Sequence, residues 1–461
     1  MTQKCPYQFA YQDSPQPPIM AQFKGIPELT TSTTPPEGPA QSGVGADLLD
    51  QETAKAILQH TLSLCTVDSA FDSSARSMNP ARFGAIDDDA PLRDIGRGSC
   101  GSVFEIPGTG YAIKKGANTV AMWNDFNLTN CAANSYLMSL GLLEHAFPER
   151  RLPRVPMARY FNGPKADAFW RSHMTRFPRP DRKRAATFHL DHILPVPTRT
   201  REALVRRFFV DDEQTQRYVL NYPDNRDCLV RVYFGKNNPS NHLYDRTDTL
   251  RNFPLYLDQA KEIGIDIDAL AEEMAMGLAV LHWKAGIDAQ DTEFVIGSST
   301  TKAFGTVFSD HTSQEPPVST MDDLTQREVQ LWMLDYDKAS KFDIEKMQPF
   351  TLLERYLVAV TGNDPYFPHP VLDVALWRVF RNAYVEASQI ILHAQDCYKS
   401  IVLALPAMLL DEWEEWGALD VDADEFDPFE RGDDADDADE EEEDEDEGED
   451  DDAESDDEHR L

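Results

Sequence analysis

The strongest apolar periodicity in the chain lies in "DIDALAEEMAMGLAVLHW", residues 266–283. Leu270, Met274, Met276, Leu278, Val280 and Leu281 cover so much of the helical circumference that the segment predicts a helix buried nearly all round. The pattern ahead of it is different. Ser102–Ile106 and Tyr111–Lys114 are short β-type runs either side of "PGTG", which predicts a hairpin. Val120–Leu143 has helical character, with Leu137, Met138, Leu140 and Leu143 as its apolar stripe. "TFHLDHILPVP" and "CLVRVYFGK" both read as strands; the first is taken to lead toward a hinge, with the second as the alternative. Beyond residue 283 an apolar run enters "LDYD", and helices are expected at "TLLERYLVAV", "LDVALWRVFRNAYVEASQIILHAQ" and "IVLALPAMLLDEWEEW". Strand-rich material precedes helix-rich material, which predicts an α+β protein in two lobes. The small, β-rich lobe is assigned to 89–255 and the helical large lobe to 256–412.

The flanks behave differently. Residues 1–88 are rich in Pro, Ser, Thr and Gly and predict a mostly disordered segment. One helix-like stretch, 46–65, carries Leu48, Leu49, Ala56, Ile57, His60 and Leu64, and reads equally as a docking helix or a transient one. The formal charge is −38, but 31 of the 81 acids lie between Asp411 and Leu461 beside two arginines. The acidity therefore belongs to the tail, 413–461, which is expected to be disordered and able to attract basic partners. Residues 148–184 are the reverse, with 11 Lys and Arg against three acids. That run is read first as a solvated insert of the small lobe; nucleic acid is the less favoured reading. The six cysteines are scattered, and no Cys/His spacing matches a zinc site. The opening residues lack an apolar leader core and no run is long enough to span a bilayer, so no membrane partner and an intracellular location, cytoplasmic or nuclear, are expected.

Four constellations carry candidate chemistry. "GRGSCGSV" places Gly96, Gly98, Gly101 and Val103 in a GxGxxGxV pattern, which lets backbone N–H groups approach a polyphosphate. A strand and "YAIKK" follow it, with Lys114 after Ala112 and Ile113. "LHWKAGIDAQDTEFVIG" sets Asp288, Asp291 and Glu293 in a turn between the buried helix and a strand. Asp288 and Glu293 are five residues apart, and carboxylates suit both accepting a proton and binding Mg²⁺. "QLWMLDYDK" then presents Asp335 at the end of an apolar strand.

In this order the motifs resemble the protein-kinase-like superfamily. Over roughly residues 90–410 the wording is closer still to a fungal family of kinase-like proteins, some labelled "zinc finger protein". That similarity rests on "LHWKAGIDAQDTEFVIGSS", "LRNFPLYL", "CLVRVYFG", "ILPVP" and "NDPYFPHP". The resemblance implies a bilobal kinase-like fold with inserts in the small lobe and ATP with Mg²⁺ as cofactors. It implies Lys114 and Asp288 as catalytic residues, Gly96, Gly98, Gly101, Val103 and Lys114 at the nucleotide, and Glu293 and Asp335 at the metal. Departures are as informative. Gly286 and Ile287 stand where His and Arg precede the catalytic Asp, Gln290 replaces a lysine, and Glu293 replaces Asn. No Ala-Pro-Glu follows Asp335, and no Glu is placed to pair with Lys114; Asp125 is the nearest stand-in. Two functions fit: an unusual phosphotransferase acting on an unnamed acceptor, or a pseudokinase serving as an interaction module.

Overall fold

Strand alternation decides which way Lys114 faces. In β4 (Tyr111–Gly116) Tyr111 and Ile113 join an apolar cluster with Leu92, Phe104, Phe169, Trp170 and Phe177. Ala112 and Lys114 therefore point to the opposite face. There α2 (Thr119–Ala146) packs through Met122 against Ala158, Ala186 and Phe188. This computed structural model describes residues 49–63, 66–68, 90–98, 100–107, 109–239, 243–300, 326–395 and 400–421. The acidic-tail reading and most of the 1–88 reading fall outside the described residues.

Among the described residues the architecture is mixed α and β, with two five-stranded sheets. The first has order β2-β3-β4-β6-β5, built from β2 (Arg93–Gly98), β3 (Gly101–Glu105), β4, β6 (Ala186–Asp191) and β5 (Ala158–Asn162). All its pairings are antiparallel, with Gly98 opposite Gly101, Val103 opposite Lys114 and Lys114 opposite Phe188. The second has order β1-β10-β9-β7-β8, from β1 (Thr66–Asp68), β10 (Gln326–Leu334), β9 (Glu293–Thr300), β7 (Val230–Tyr233) and β8 (Phe253–Tyr256). Its hairpin sets Glu293 opposite Leu334, so both acidic loops open at the same end of the sheet.

The boundary read at residue 255 falls after a strand that pairs with the second half of the chain. β7 pairs with β9, and Val230 and Val232 are buried in the same core as the long helices, so "CLVRVYFG" belongs with the second half of the chain. "TFHLDHILPVP" carries β6 of the first sheet and then crosses: Leu194 bridges Ser298 of the second. The region read as β-rich also contains α4 (Thr198–Phe208) and α5 (Glu213–Asn221), following the short α3 (Asp167–His173).

α6 (Leu257–Ile263) leads into α7 (Ile267–Ala279), which is the centre of the core; Leu270, Met274, Met276 and Leu278 are all buried. Its last turns widen to a π-helix, Val280–Ala285, ended by Gly286 in the left-handed region at φ 69°. A Cβ at Gly286 would lie 2.5 Å from the Phe342 carbonyl oxygen, so glycine is required by both φ and contact. α8 (Pro349–Thr361), α9 (Val374–His393) and α10 (Ser400–Val421) complete the helical layer. α2 departs from its sequence reading: Leu137 and Met138 are exposed, while Leu128, Ala132, Ala133 and Leu143 form the buried face. α1 (Gln51–Leu62) docks on the chain itself. It buries Ala54, Leu58 and Leu62, and Gln51 Nε2 donates to the Arg206 carbonyl at 3.0 Å.

Several arginines of the basic run have partners within the chain. Arg150 pairs with Glu272, Arg151 with Glu328, Arg159 with Asp191 and Arg184 with Asp167. Arg176 and Arg182 donate to the carbonyls of Ala90 and Phe177. Arg150 and Arg151 thereby tie the run to distant elements, while Lys165, Arg171, Arg179 and Lys183 are exposed, so most of the run faces solvent as read. Among the described residues no helix is long and apolar enough to cross a membrane.

Candidate functional site

A cleft of about 630 Å³ lies between the two sheets. Its walls include Gly96, Gly98, Gly101 and Val103 from the first hairpin, Lys114 from β4, Asp125 from α2, and Asp291, Glu293 and Asp335 from the acidic loops. Thus every residue read at the nucleotide or the metal reaches one space, as does one of the two read as catalytic, Lys114. Asp288 is the exception.

The glycines differ in what they allow. A Cβ at Gly101 would lie 2.3 Å from the Lys115 carbonyl oxygen, so the strand crossing itself demands glycine. Gly96 and Gly98 have no atom within 4 Å of an added Cβ and border the cleft, leaving open space beside the turn. That space lets a ligand approach the backbone.

Lys114 is the electrostatic centre. Its Nζ lies 2.8 Å from Asp125 and 2.7 Å from Asp335. Burial disfavours the ammonium charge, but the Asp335 and Asp125 carboxylates outweigh it and hold the pKa well above that of an ordinary lysine. Asp125 itself is raised by burial, against the pull of Lys114. It also accepts from Thr129 Oγ1 at 3.1 Å and from the Tyr336 N–H at 3.4 Å, tying α2 to the segment after β10. Asn124 strengthens that tie by donating to the carbonyls of Asp337 and Ala339. The stand-in noted in the sequence is therefore the actual partner of Lys114.

The acidic loops are built on unusual backbone. Ala289, Asp291 and Asp335 have φ of 64°, 59° and 64°, in the left-handed region that non-glycine residues seldom occupy. Such conformations cost on the order of 1–3 kcal/mol each and concentrate at functional sites. Here Asn363 holds the loop by donating to the carbonyls of Thr292 and Ala289 at 3.2 and 3.4 Å.

Asp288 is turned inward. Its Oδ1 accepts the N–H groups of Ser340, at 2.9 Å, and Gln290, at 3.2 Å, and the residue is 4% exposed and does not border the cleft. Burial raises its pKa, against those two backbone donors. Together with a bridge between Ile287 and Lys341, it pins the chain that follows Asp335. Asp291 borders the cleft instead, with Lys338 Nζ at 3.3 Å. Glu293 is in contact with Arg231 of β7, and burial, opposed by that arginine, pushes its pKa up to about 7. His282 is fully buried between Tyr384 Oη, at 2.7 Å, and the Asp288 carbonyl, at 3.3 Å.

Sequence reasoning assigned no site role to Arg231, Lys338 and Asp364, which also border the cleft. "LDYDK" carried a signal for Lys338 through its closeness to Asp335. Arg231 and Asp364 come from segments with no motif of their own. The oxygen donors Asp291, Glu293 and Asp335 are of the kind Mg²⁺ prefers. Among the described residues no three His, Cys, Asp or Glu side chains converge tightly enough to hold a metal by themselves. A Mg²⁺ site made of one or two carboxylates plus ligand phosphates is compatible with that arrangement.

A family model described as "Zinc finger protein" matches residues 331–396. That stretch contains Asp335, Lys338, α8 and Asp364, with two histidines, His369 and His393, and no cysteine. Such a donor set does not make a Cys/His zinc site. No curated protein and no solved structure matches the chain.

Proposed function

We propose that this chain is a bilobal, protein-kinase-like nucleotide-binding protein and an atypical ATP-dependent phosphotransferase. The observation that carries the proposal is Lys114, held between Asp125 and Asp335 in a cleft roofed by the glycine turn. A cleft of about 630 Å³ is of the size small-molecule sites occupy. Val103, Ala112, Leu190 and Ile193 give it apolar walls suited to a planar base. The open side of Gly96 and Gly98 leaves room for phosphates against backbone N–H groups. Lys114 would orient phosphate oxygens, and Asp335 with Asp291 would hold Mg²⁺. Bound there, Mg²⁺ would neutralise phosphate charge. Glu293 would join them while sharing its carboxylate with Arg231.

A pseudokinase reading has its own support. Asp288, in register with a catalytic aspartate, is engaged by two backbone N–H groups and faces away from the cleft. A protein of this kind would bind nucleotide and act through its surface.

Thermal melting with and without Mg-ATP tests the nucleotide site. The parent should gain about 2–5 °C at saturating ligand, while Asp335→Asn and Lys114→Ala gain nothing over their own ligand-free values. No gain in the parent removes the nucleotide reading. Transfer of label from γ-labelled ATP to any acceptor in a fungal lysate separates the enzyme from the pseudokinase.

A further inference from the structure

Gln290 stands where the resemblance would place a lysine on the transferred phosphate, so the cleft needs that charge from elsewhere. Among the described residues the Lys and Arg side chains bordering it are Arg97, Lys114, Arg231 and Lys338. Three are firmly held. Arg97 lies 2.6 Å from Asp94 and 2.7 Å from Asp181. Lys114 is fixed by two carboxylates, and Arg231 is in close contact with Glu293.

Lys338 is different. Its ammonium meets Asp291 at 3.3 Å, the longest closest-acid distance of the four. Its backbone is nonetheless well anchored, because Asn124 of α2 grips the carbonyls on either side, Asp337 and Ala339. A fixed base with a loosely held head is what a phosphate-contacting lysine requires: a four-carbon stem that swings over a short arc. The head also sits at the right end of the cleft, three residues beyond Asp335 and against the acidic loop.

We infer that Lys338 contacts the terminal phosphate of the bound nucleotide, supplying from the segment after β10 the charge that Gln290 lacks. This rests on the nucleotide reading above. Asp291 parks the ammonium until phosphate draws it away.

Calorimetric titration of the full chain with Mg-ATP and Mg-ADP tests the inference on parent, Lys338→Ala and Lys338→Arg. Loss of one charge-assisted contact should weaken Mg-ATP about tenfold in Lys338→Ala and leave Mg-ADP within about twofold. Lys338→Arg should keep most of the preference for ATP. Ligand-free melting checks that the variants fold. Equal weakening of both nucleotides, or of neither, overturns the inference while the nucleotide site stands. A parent that binds neither nucleotide overturns both.

Discussion

Lys114 on β4 joins Asp125 on α2, with 2.8 Å between ammonium and carboxylate and Asp125 only 2% exposed. A charge taken out of water this completely depends on its partner. Lys114→Met should therefore cost about 3–5 kcal/mol in urea denaturation, because it strands Asp125. Lys114→Met combined with Asp125→Asn should recover a measurable part of that loss. Strict additivity of the two single losses would show that the pair is not coupled.

The two kinds of glycine in the turn should separate folding from binding. Gly101→Ala forces a methyl against the Lys115 carbonyl and should lose roughly 2 kcal/mol or more. Gly98→Ala meets nothing and should stay within about 0.5 kcal/mol of the parent while weakening Mg-ATP, since its methyl would stand beside the cleft. Similar melting temperatures for the two variants would contradict this assignment.

Glu273 on α7 gives a pH signature. It is buried, accepts the Arg151 N–H at 3.1 Å, and burial, against that donor, pushes its pKa up to about 8. A carboxyl raised in the folded state favours folding fully below its ordinary pKa of 4.5; that contribution is lost as pH climbs through 8. Glu273→Gln stays neutral. Its stability relative to the parent should rise between pH 5 and 9, by up to about 4 kcal/mol. Parallel stability curves for parent and variant would refute the shift.

Legibility in the sequence followed the range of the interactions. Lys114 was readable because Ala112 and Ile113 set a strand alternation within three residues, and Asp335 because an apolar strand led into it. Asp288 was readable as a position but not as an orientation. Left-handed backbone at Ala289 and Asp291, two residues with no glycine to announce it, turns the loop so that Asp288 faces inward and Asp291 outward. The placement of β7 depended on a pairing with β9 some sixty positions away, and local pattern carries no such information. The same distance hid the fate of the basic run. Arg150 and Arg151 meet Glu272 and Glu328, far along the chain, so a stretch that reads as a charged surface also braces distant elements.

The docking of α1, and of β1 along the outer edge of β10, bears on where the protein can be cut. A chain begun at residue 89, just ahead of the glycine turn, would lose Leu58 and Leu62 from the packed interior and uncover the backbone of β10 from Gln326 to Glu328. An exposed strand edge invites pairing with other molecules. Such a fragment should aggregate more readily than one begun near residue 48, because the packed unit extends further toward the N-terminus than its sequence motifs mark out.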